Sequence, residues 1–251
     1  MMKETIEVFR YDKIDSDYNS LIRLHQSISE FSGLYKHLIY FDPNFPVYFK
    51  NIIEQSPNDL ITVIRINKKI AGFIHLKISE ETVFLNNICL NSKYRGKGRG
   101  KLFLRESLDL LPQTHPKCFG LDVLLSNPGA VSWYRSLGLE IVSKSIWMEL
   151  LSYNLSNYNL GANEIIFKKD DNCFSSVFVN DHKIGTIINK TTLLIHDLSY
   201  IDLIPLNNFE NVITNQDIKD LNETYNFQQL ETSARMKGLF ENMKEKLNKK
   251  S

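Results

Sequence analysis

Val83 to Leu111 reads VFLNNICLNSKYRGKGRGKLFLRESLDLL. Its first eight residues, Val83 to Leu90, are apolar and partly β-branched, which predicts a short strand. A basic loop from Tyr94 to Gly100 follows, then a helix from about Lys101 to Leu111. In that helix the 3.6-residue period brings Leu102, Leu104, Leu108 and Leu111 close to one face. Between strand and helix stands Arg95-Gly96-Lys97-Gly98-Arg99-Gly100. Its glycines let the backbone take positive φ and let a ligand approach the main chain. The N–H groups of the next helix's first turn point into the same space, beside Arg95, Lys97, Arg99 and Lys101. That combination suits a diphosphate or a similar anion. A P-loop is excluded because no Gly-Lys-Ser/Thr follows the required spacer. A dinucleotide-binding fingerprint is disfavoured by the four cations and by the lack of an acidic residue on a following strand.

The loop resembles the acetyl-coenzyme A loop of the GNAT family of N-acetyltransferases, Arg/Gln-x-x-Gly-x-Gly/Ala after a strand. Arg95, Gly98 and Gly100 fill that pattern. A second segment, Asn127-Pro-Gly-Ala130-Val-Ser-Trp-Tyr134-Arg-Ser-Leu-Gly138-Leu139, is similar to the family's Asn-x-x-Ala-x-x-x-Tyr-x-x-x-Gly-Phe, with Leu in place of the final Phe. The two motifs stand in the family's order, and the resemblance covers roughly the first 150 residues.

Outward from these motifs the pattern is β-α-α-β-β-β-α-β-α-β-β, an α/β layer arrangement and the GNAT order. Thr5 to Arg10 alternates like a strand. Asp17 to Phe31 has helical spacing through Leu21, Ile22, Leu24 and Ile28. Leu60 to Ile66 and Ile70 to Ile78 read as a hairpin across Asn67-Lys68-Lys69. Phe119 to Leu125 is a buried-type strand, Gly129 to Leu137 a helix, and Leu139 to Val142 and Ile146 to Leu151 closing strands. Phe31 to Phe49 carries Tyr35, Tyr40, Phe41, Phe45, Tyr48 and Phe49 around Pro43 and Pro46. The resemblance would set this segment over an acyl-acceptor cleft; the plainer reading is that its rings pack a helix–loop connection.

From Ser152 the composition shifts to SYNLSNYNLGAN, which reads as a linker, so residues 1–151 are expected to form a GNAT-like domain with a mixed central sheet flanked by helices. The remainder, 152–251, is read as a smaller, truncated copy of it. Ile64-Arg-Ile-Asn67-x-x-x-x-Gly72 matches Val177-Phe-Val-Asn180-x-x-x-x-Gly185, and Leu124-Leu-Ser-Asn127 matches Val212-Ile-Thr-Asn215. The second register continues, setting Leu139 on Phe227 and Met148 on Met236. The two registers differ by about 25 residues. The part missing from the copy would be the phosphate loop and most of its helix. Such a half would complete the sheet, brace the first domain or wall the substrate cleft. Met236 to Lys250 reads as a solvated terminal helix of alternating charge.

Composition narrows the partners. The 251 residues carry a formal net charge of +1, which gives no reason to expect nucleic acid or an anionic membrane. No apolar run approaches the ~20 residues of a membrane helix, and MMKETIEVFRYD lacks the apolar core of a secretory signal. Cys89, Cys118 and Cys173 have no metal-type spacing, so no metal is expected. An odd number of thiols points to a reducing, cytoplasmic compartment.

Acetyl transfer to an amine needs a held thioester, a neutral amine, a polarised carbonyl and a proton for the leaving thiolate. The resemblance gives acetyl-CoA to the backbone of Ile88, Cys89 and Leu90 and to Arg95, Gly96, Lys97, Gly98, Arg99 and Gly100. It gives Asn127 a contact with the cofactor arm and Tyr134 the proton for departing coenzyme A. Many family members carry a carboxylate on the central strand, where this chain has Asn86 and Asn87. The base is therefore open among Glu81 or Glu80 at the hairpin end, His75 on the preceding strand, and a relayed water. Cys89 is read as packing, not as a nucleophile. The resemblance implies an acetyl-CoA-dependent N-acetyltransferase acting on a small amine or a protein amino group, with the acceptor's identity left open. The alternative is a non-catalytic acyl-CoA sensor. A pseudo-repeat can stand in for a partner subunit, so a monomer is expected.

Overall fold

The computed structural model describes residues 4–28, 30–112, 115–153, 165–170, 174–219, 221 and 224–249. In chain order they form β1 (Ile6–Arg10), α1 (Tyr18–Gln26), α2 (Phe45–Gln55), β2 (Asp59–Ile66), β3 (Lys69–Ile78), β4 (Thr82–Leu90), α3 (Arg99–Asp109), β5 (Cys118–Leu124), α4 (Pro128–Ser136), β6 (Glu140–Tyr153), β7 (Ile165–Lys169), β8 (Ser175–Val179), β9 (His182–Ile188), β10 (Thr192–Ile195), β11 (Asn211–Thr214), β12 (Tyr225–Leu239) and α5 (Phe240–Asn248). Short 3-10 turns occupy Tyr35–His37, Ile39–Phe41, Ser92–Tyr94, Leu198–Leu203 and Leu206–Asn208.

The chain forms two compact units that alternate along the sequence. The first takes the chain up to Glu30, Phe49–Lys144 and the chain from Ala234; the second takes Phe31–Tyr48 and Ser145–Ser233. Ser152 and Tyr153 end β6, and the rest of the expected linker lies outside the described residues.

In the first unit the strand order is β1-β2-β3-β4-β5-β12-β6. β1 to β4 pair antiparallel and β4 pairs parallel with β5, so the sheet is mixed. The β2–β3 hairpin turns on Asn67 and Lys68, both at positive φ (50° and 63°), a combination that matches the twist of the strands. One face of this sheet packs on α3, α4 and α5 through a core that includes Ile64, Leu76, Leu85, Phe103, Leu121 and Tyr134. α3 buries Phe103, Leu104, Ser107 and Leu108, so its inner face is turned one residue from the expected row, and Phe103 replaces Leu102. A buried 2.6 Å hydrogen bond between the Ser107 and Thr62 hydroxyls ties α3 to β2.

Three expectations are corrected. α1 ends at Gln26, because Ser27 Oγ donates to Leu24 O (2.8 Å) and offers the chain a local alternative to the next helical turn. The two closing strands are one strand, β6, since the polar residues at 143–145, exposed at Ser143 and Lys144 and half-buried at Ser145, satisfy an extended chain as well as a turn. The terminal helix begins at Phe240, with Met236 in β12, and it is not a solvated face. Phe240, Met243 and Leu247, spaced by three and four, are buried in the core.

In the second unit the order is β12-β6-β11-β10-β9-β8-β7. β7, β8, β9 and β10 pair antiparallel in turn, and β10 pairs parallel with β11. The β8–β9 turn again uses two residues at positive φ, Asn180 (48°) and Asp181 (64°). Both hairpins shift register at the same place. Ile64 lies opposite Gly72 and Val177 opposite Gly185, and each bulge follows at once. At both glycines the next strand comes too close for a side chain. A Cβ would lie 2.3 Å from Cys89 O at Gly72 and 2.9 Å from Leu194 O at Gly185. Of the aromatic segment, Tyr35 packs against Phe41, Tyr40 against Phe45 and Tyr48 against Phe174 within this unit, whereas Phe49 belongs to the first unit and packs there on Tyr18, His25 and Phe73. Asp42 anchors it by accepting from Asn189 N (2.7 Å).

Candidate active site

The site is built where β4 leaves β5. Their parallel pairing runs from Thr82↔Cys118 to Leu85↔Leu121 and stops there. On the other side β4 stays paired with β3, but the register moves from Leu76↔Leu85 to His75↔Asn87. Asn86 is therefore the extra residue of a β-bulge at the vertex of the opening. Beyond it Asn87, Ile88, Cys89 and Leu90 continue along β3, with their other main-chain flank bordering the gap.

At the far end of the gap the chain turns into α3. Arg95 Nε donates to Leu90 O (2.7 Å), which pins the loop to the end of β4. Gly96 and Gly98 take φ of +75° and +69°, and Gly98 is the N-cap of α3. A Cβ on either would meet nothing within 4 Å, so these glycines serve the left-handed backbone and border open space. The first bond into the helix is Leu102 N to Gly98 O (3.1 Å). The N–H groups of Arg99, Gly100 and Lys101 thus have no acceptor inside the helix, at its positive end.

The loop cations are more committed than their sequence suggests. Arg99 is paired with Glu4 and stacks over Tyr94 (5.3 Å), while Lys101 Nζ donates to Lys249 O (2.6 Å). Lys97 makes no hydrogen bond or ion pair among the described residues. An anion here would be held chiefly by main-chain N–H groups. Arg99 Nη1 is buried and has no acceptor among the described residues. These features fit a diphosphate.

The second motif stands beside the first. A Cβ on Gly100 would lie 3.8 Å from Trp133, the neighbour of Tyr134 on α4. Asn127 caps α4 through Oδ1, which accepts from Ala130 N (3.1 Å), and its Nδ2 donor is not used in that cap. Tyr134 is 6% exposed, and its hydroxyl has no hydrogen-bond partner among the described residues. Burial raises its pKa above the ordinary phenol value, so it is protonated at neutral pH. Cys89 is buried; its Sγ donates to Leu24 O (3.5 Å) and lies 3.6 Å from Ser27 Oγ. Burial raises its thiol, which makes it a poor nucleophile, as expected of a packing residue. Cys118 is also free, and Cys173 lies outside the described residues.

The structure does not bring Glu81 to this site. It lies in the β3–β4 turn, where its carbonyl accepts from Lys117 N (2.8 Å) and its exposed carboxylate pairs with Lys117 Nζ. Five residues of extended chain, about 16 Å, separate it from Asn86. Sequence spacing put Glu81 near the central strand, but at the wrong end of it. His75 is at the vertex. It is 2% exposed, with Nε2 on Asp59 Oδ1 and Nδ1 3.0 Å from Asn86 Nδ2. Asp59 was not singled out from the sequence; the register Ile61↔His75, which sets it diagonally across the hairpin, is the signal that finds it.

Residues 24–139, which contain β4, the glycine loop, α3, β5 and α4, match the model of the Acetyltransferase (GNAT) family. They form a GNAT acetyltransferase domain. No curated protein matches the chain. Among solved structures, a Pyrococcus horikoshii protein assigned as an acetyltransferase superposes with a TM-score of 0.62 at 12% identity, over 95% of this chain and 90% of the other. A GCN5-related N-acetyltransferase from Kribbella flavida gives 0.56 at 9% identity, covering 94% and 71%. A GCN5-related glucosamine N-acetyltransferase region of a fungal multi-domain GH3 β-N-acetylglucosaminidase gives 0.62 at 11%, covering 95% and 38%. At these identities the likeness is one of fold. Among the described residues of the chain that carries this GNAT domain, no helix is long and apolar enough to cross a membrane.

Proposed function

We propose that the chain moves an acetyl group from acetyl-CoA to a primary amine by direct attack. The observations that carry this reading are the buried phenol of Tyr134, without a hydrogen-bond partner among the described residues and packed in the core with Leu85 of β4 and Leu121 of β5, and the end of β4–β5 pairing at those two residues, on the strand that leads into the Gly98 N-cap of α3. In it, the diphosphate takes the N–H groups of Gly96 to Lys101, and the pantetheine amides lie along Ile88 to Leu90. The amine attacks the thioester carbonyl and forms the C–N bond, a β4 amide near Leu90 stabilises the resulting oxyanion, and the C–S bond breaks as the oxyanion collapses to the amide carbonyl. Tyr134 gives its proton to the thiolate and regains one from solvent, while the amine nitrogen releases a proton to water. Phenylalanine at position 134 separates this reading from a non-catalytic acyl-CoA sensor. Tyr134→Phe should leave acetyl-CoA affinity within about twofold while lowering turnover by about 10² or more. Equal turnover in both proteins would refute the role of Tyr134. Failure of the unaltered protein to bind acetyl-CoA in a calorimetric titration would sink the whole reading.

We also infer that residues 152–239 are a shortened copy of the GNAT unit. The repeated strand order, the bulges at Ile64 and Val177 and the crowded glycines 72 and 185 support this. Between β10 and β11, where the first unit has its glycine loop and α3, stand two 3-10 turns. The expected stoichiometry is one acetyl-CoA per chain, and two equivalent sites would refute the copy's loss of function.

A further inference from the structure

Four polar side chains, Ser56, Asp59, His75 and Asn86, form a connected line in the GNAT domain. Ser56 Oγ and His75 Nε2 both hydrogen-bond the carboxylate of Asp59, and His75 Nδ1 faces Asn86 Nδ2 at 3.0 Å. Asp59 and His75 are largely buried, whereas Asn86 is exposed. Burial pushes the Asp59 carboxyl up, but the bonds from His75 and Ser56 outweigh it and hold it below its ordinary value. Asp59 is thus an ionised acceptor at neutral pH that takes the Nε2–H of His75, while the Asn86 amide nitrogen faces Nδ1. His75 Nδ1 is then a lone pair. Asn86 must offer it an N–H, and its carboxamide oxygen must face away. Among the described residues nothing donates to that oxygen.

Asn86 is also the bulge residue at the vertex where β4 parts from β5. If the diphosphate sits at Gly96 to Lys101 and the cofactor arm follows Leu90 back along β4, the thioester arrives at this vertex.

We propose that Asn86 presents its carboxamide oxygen to an N–H of the acceptor amine, with Asp59 and His75 as positioning residues that hold it in that orientation. An acceptor hydrogen bond at this point aims the nitrogen lone pair at the thioester carbonyl and selects acceptors that keep an N–H, primary and secondary amines, over tertiary ones. His75 is not the base itself, because its only basic nitrogen is engaged by Asn86. The proposal rests on the acyl-transfer reading above.

Its test has two readouts. In protein labelled with ¹⁵N-histidine, His75 should carry its proton on Nε2 at neutral pH; a proton on Nδ1 would overturn the proposal whatever the activity. Thiol release from acetyl-CoA is then followed with n-butylamine and with a tetra-alanine peptide as probe amines. Asn86→Ala should lower kcat/KM for the amine by about tenfold, the worth of one hydrogen bond to an amine, with KM for acetyl-CoA unchanged. Asp59→Asn frees His75 to move its proton to Nδ1 and should reproduce that loss. The double variant should be no worse than Asn86→Ala alone. Should Asp59→Asn fail to fold, Asn86→Ala and the His75 proton position decide the matter. An unchanged amine-dependent rate in Asn86→Ala, or additive losses, would overturn the proposal. So would a protein that binds acetyl-CoA but turns over neither probe. Absence of acetyl-CoA binding would instead strike the acetyl-transfer reading, and calorimetry is run first to separate the two.

Discussion

Acid should destabilise this protein through His25 before its carboxylates are protonated. The ring is stacked on Phe73 (centroids 3.9 Å apart, planes 25° apart) and meets Phe49 edge-on at 4.4 Å, and its Nδ1 hydrogen-bonds Leu21 O at 2.9 Å. Only the neutral ring suits that pocket. Burial lowers its pKa from 6.5 to about 3. The unfolded chain therefore binds this proton from pH 6.5 downward, whereas the folded chain does not until about pH 3. Stability is fully present above 6.5 and is lost as pH falls across that window. At 1.36 kcal/mol per pH unit the loss is about 2.5 kcal/mol between pH 7 and 4.5. Urea denaturation followed by the fluorescence of Trp133 and Trp147 measures it, with His25→Phe as the reference that keeps a ring and removes the titration. Burial also lowers His37 and His196, and their contribution, of the same sign, cancels in the comparison. Wild type should lose about 2.5 kcal/mol more than His25→Phe over that range. Parallel curves for the two proteins would refute the reasoning.

Glu81→Gln should leave amine acetylation unchanged and shift stability by less than about 1 kcal/mol, as for other exposed ion pairs, in assays of thiol release and thermal melting. Gly98→Ala meets no obstacle but must hold a left-handed backbone. A cost of about 1 kcal/mol in urea titrations is expected, together with weaker acetyl-CoA binding by calorimetry. Gly72→Ala drives a methyl group into Cys89 O and should cost about 2–3 kcal/mol or misfold the β3–β4 hairpin, read as a lower urea midpoint.

The GNAT fold was legible because its signals are local. Arg95 to Gly100 announces its own backbone, and Asn127-Pro128 announces a cap. Asn67-Lys68 marks a tight turn between alternating strands. What escaped the sequence depends on register. Glu81 and Asn86 are five residues apart, and only the pairing Leu85↔Leu121 says which of them stands at the opening. Asp59 and His75 meet because two strands align, which no spacing along the chain expresses. The helix at Phe240 was misplaced because Met236 continues an apolar pattern that a strand and a helix share over four residues. The charge of the loop was overread, since Arg99 and Lys101 spend theirs on Glu4 and Lys249 O.

The parting of β4 from β5 also gives the sheet of the GNAT domain an unfinished margin in its middle. Past Leu85 one flank of β4 carries main-chain groups that β5 no longer meets. A sheet margin of that kind is a template for any extended chain. On the acetyl-CoA reading, an amide-bearing cofactor arm laid there would act as a short donor strand whose hydrogen bonds close the ladder. Filling the margin should therefore harden the fold itself, by about 2.7 kcal/mol at a hundred times the dissociation constant. The domain without acetyl-CoA, in turn, should be the form that pairs with stray extended peptides.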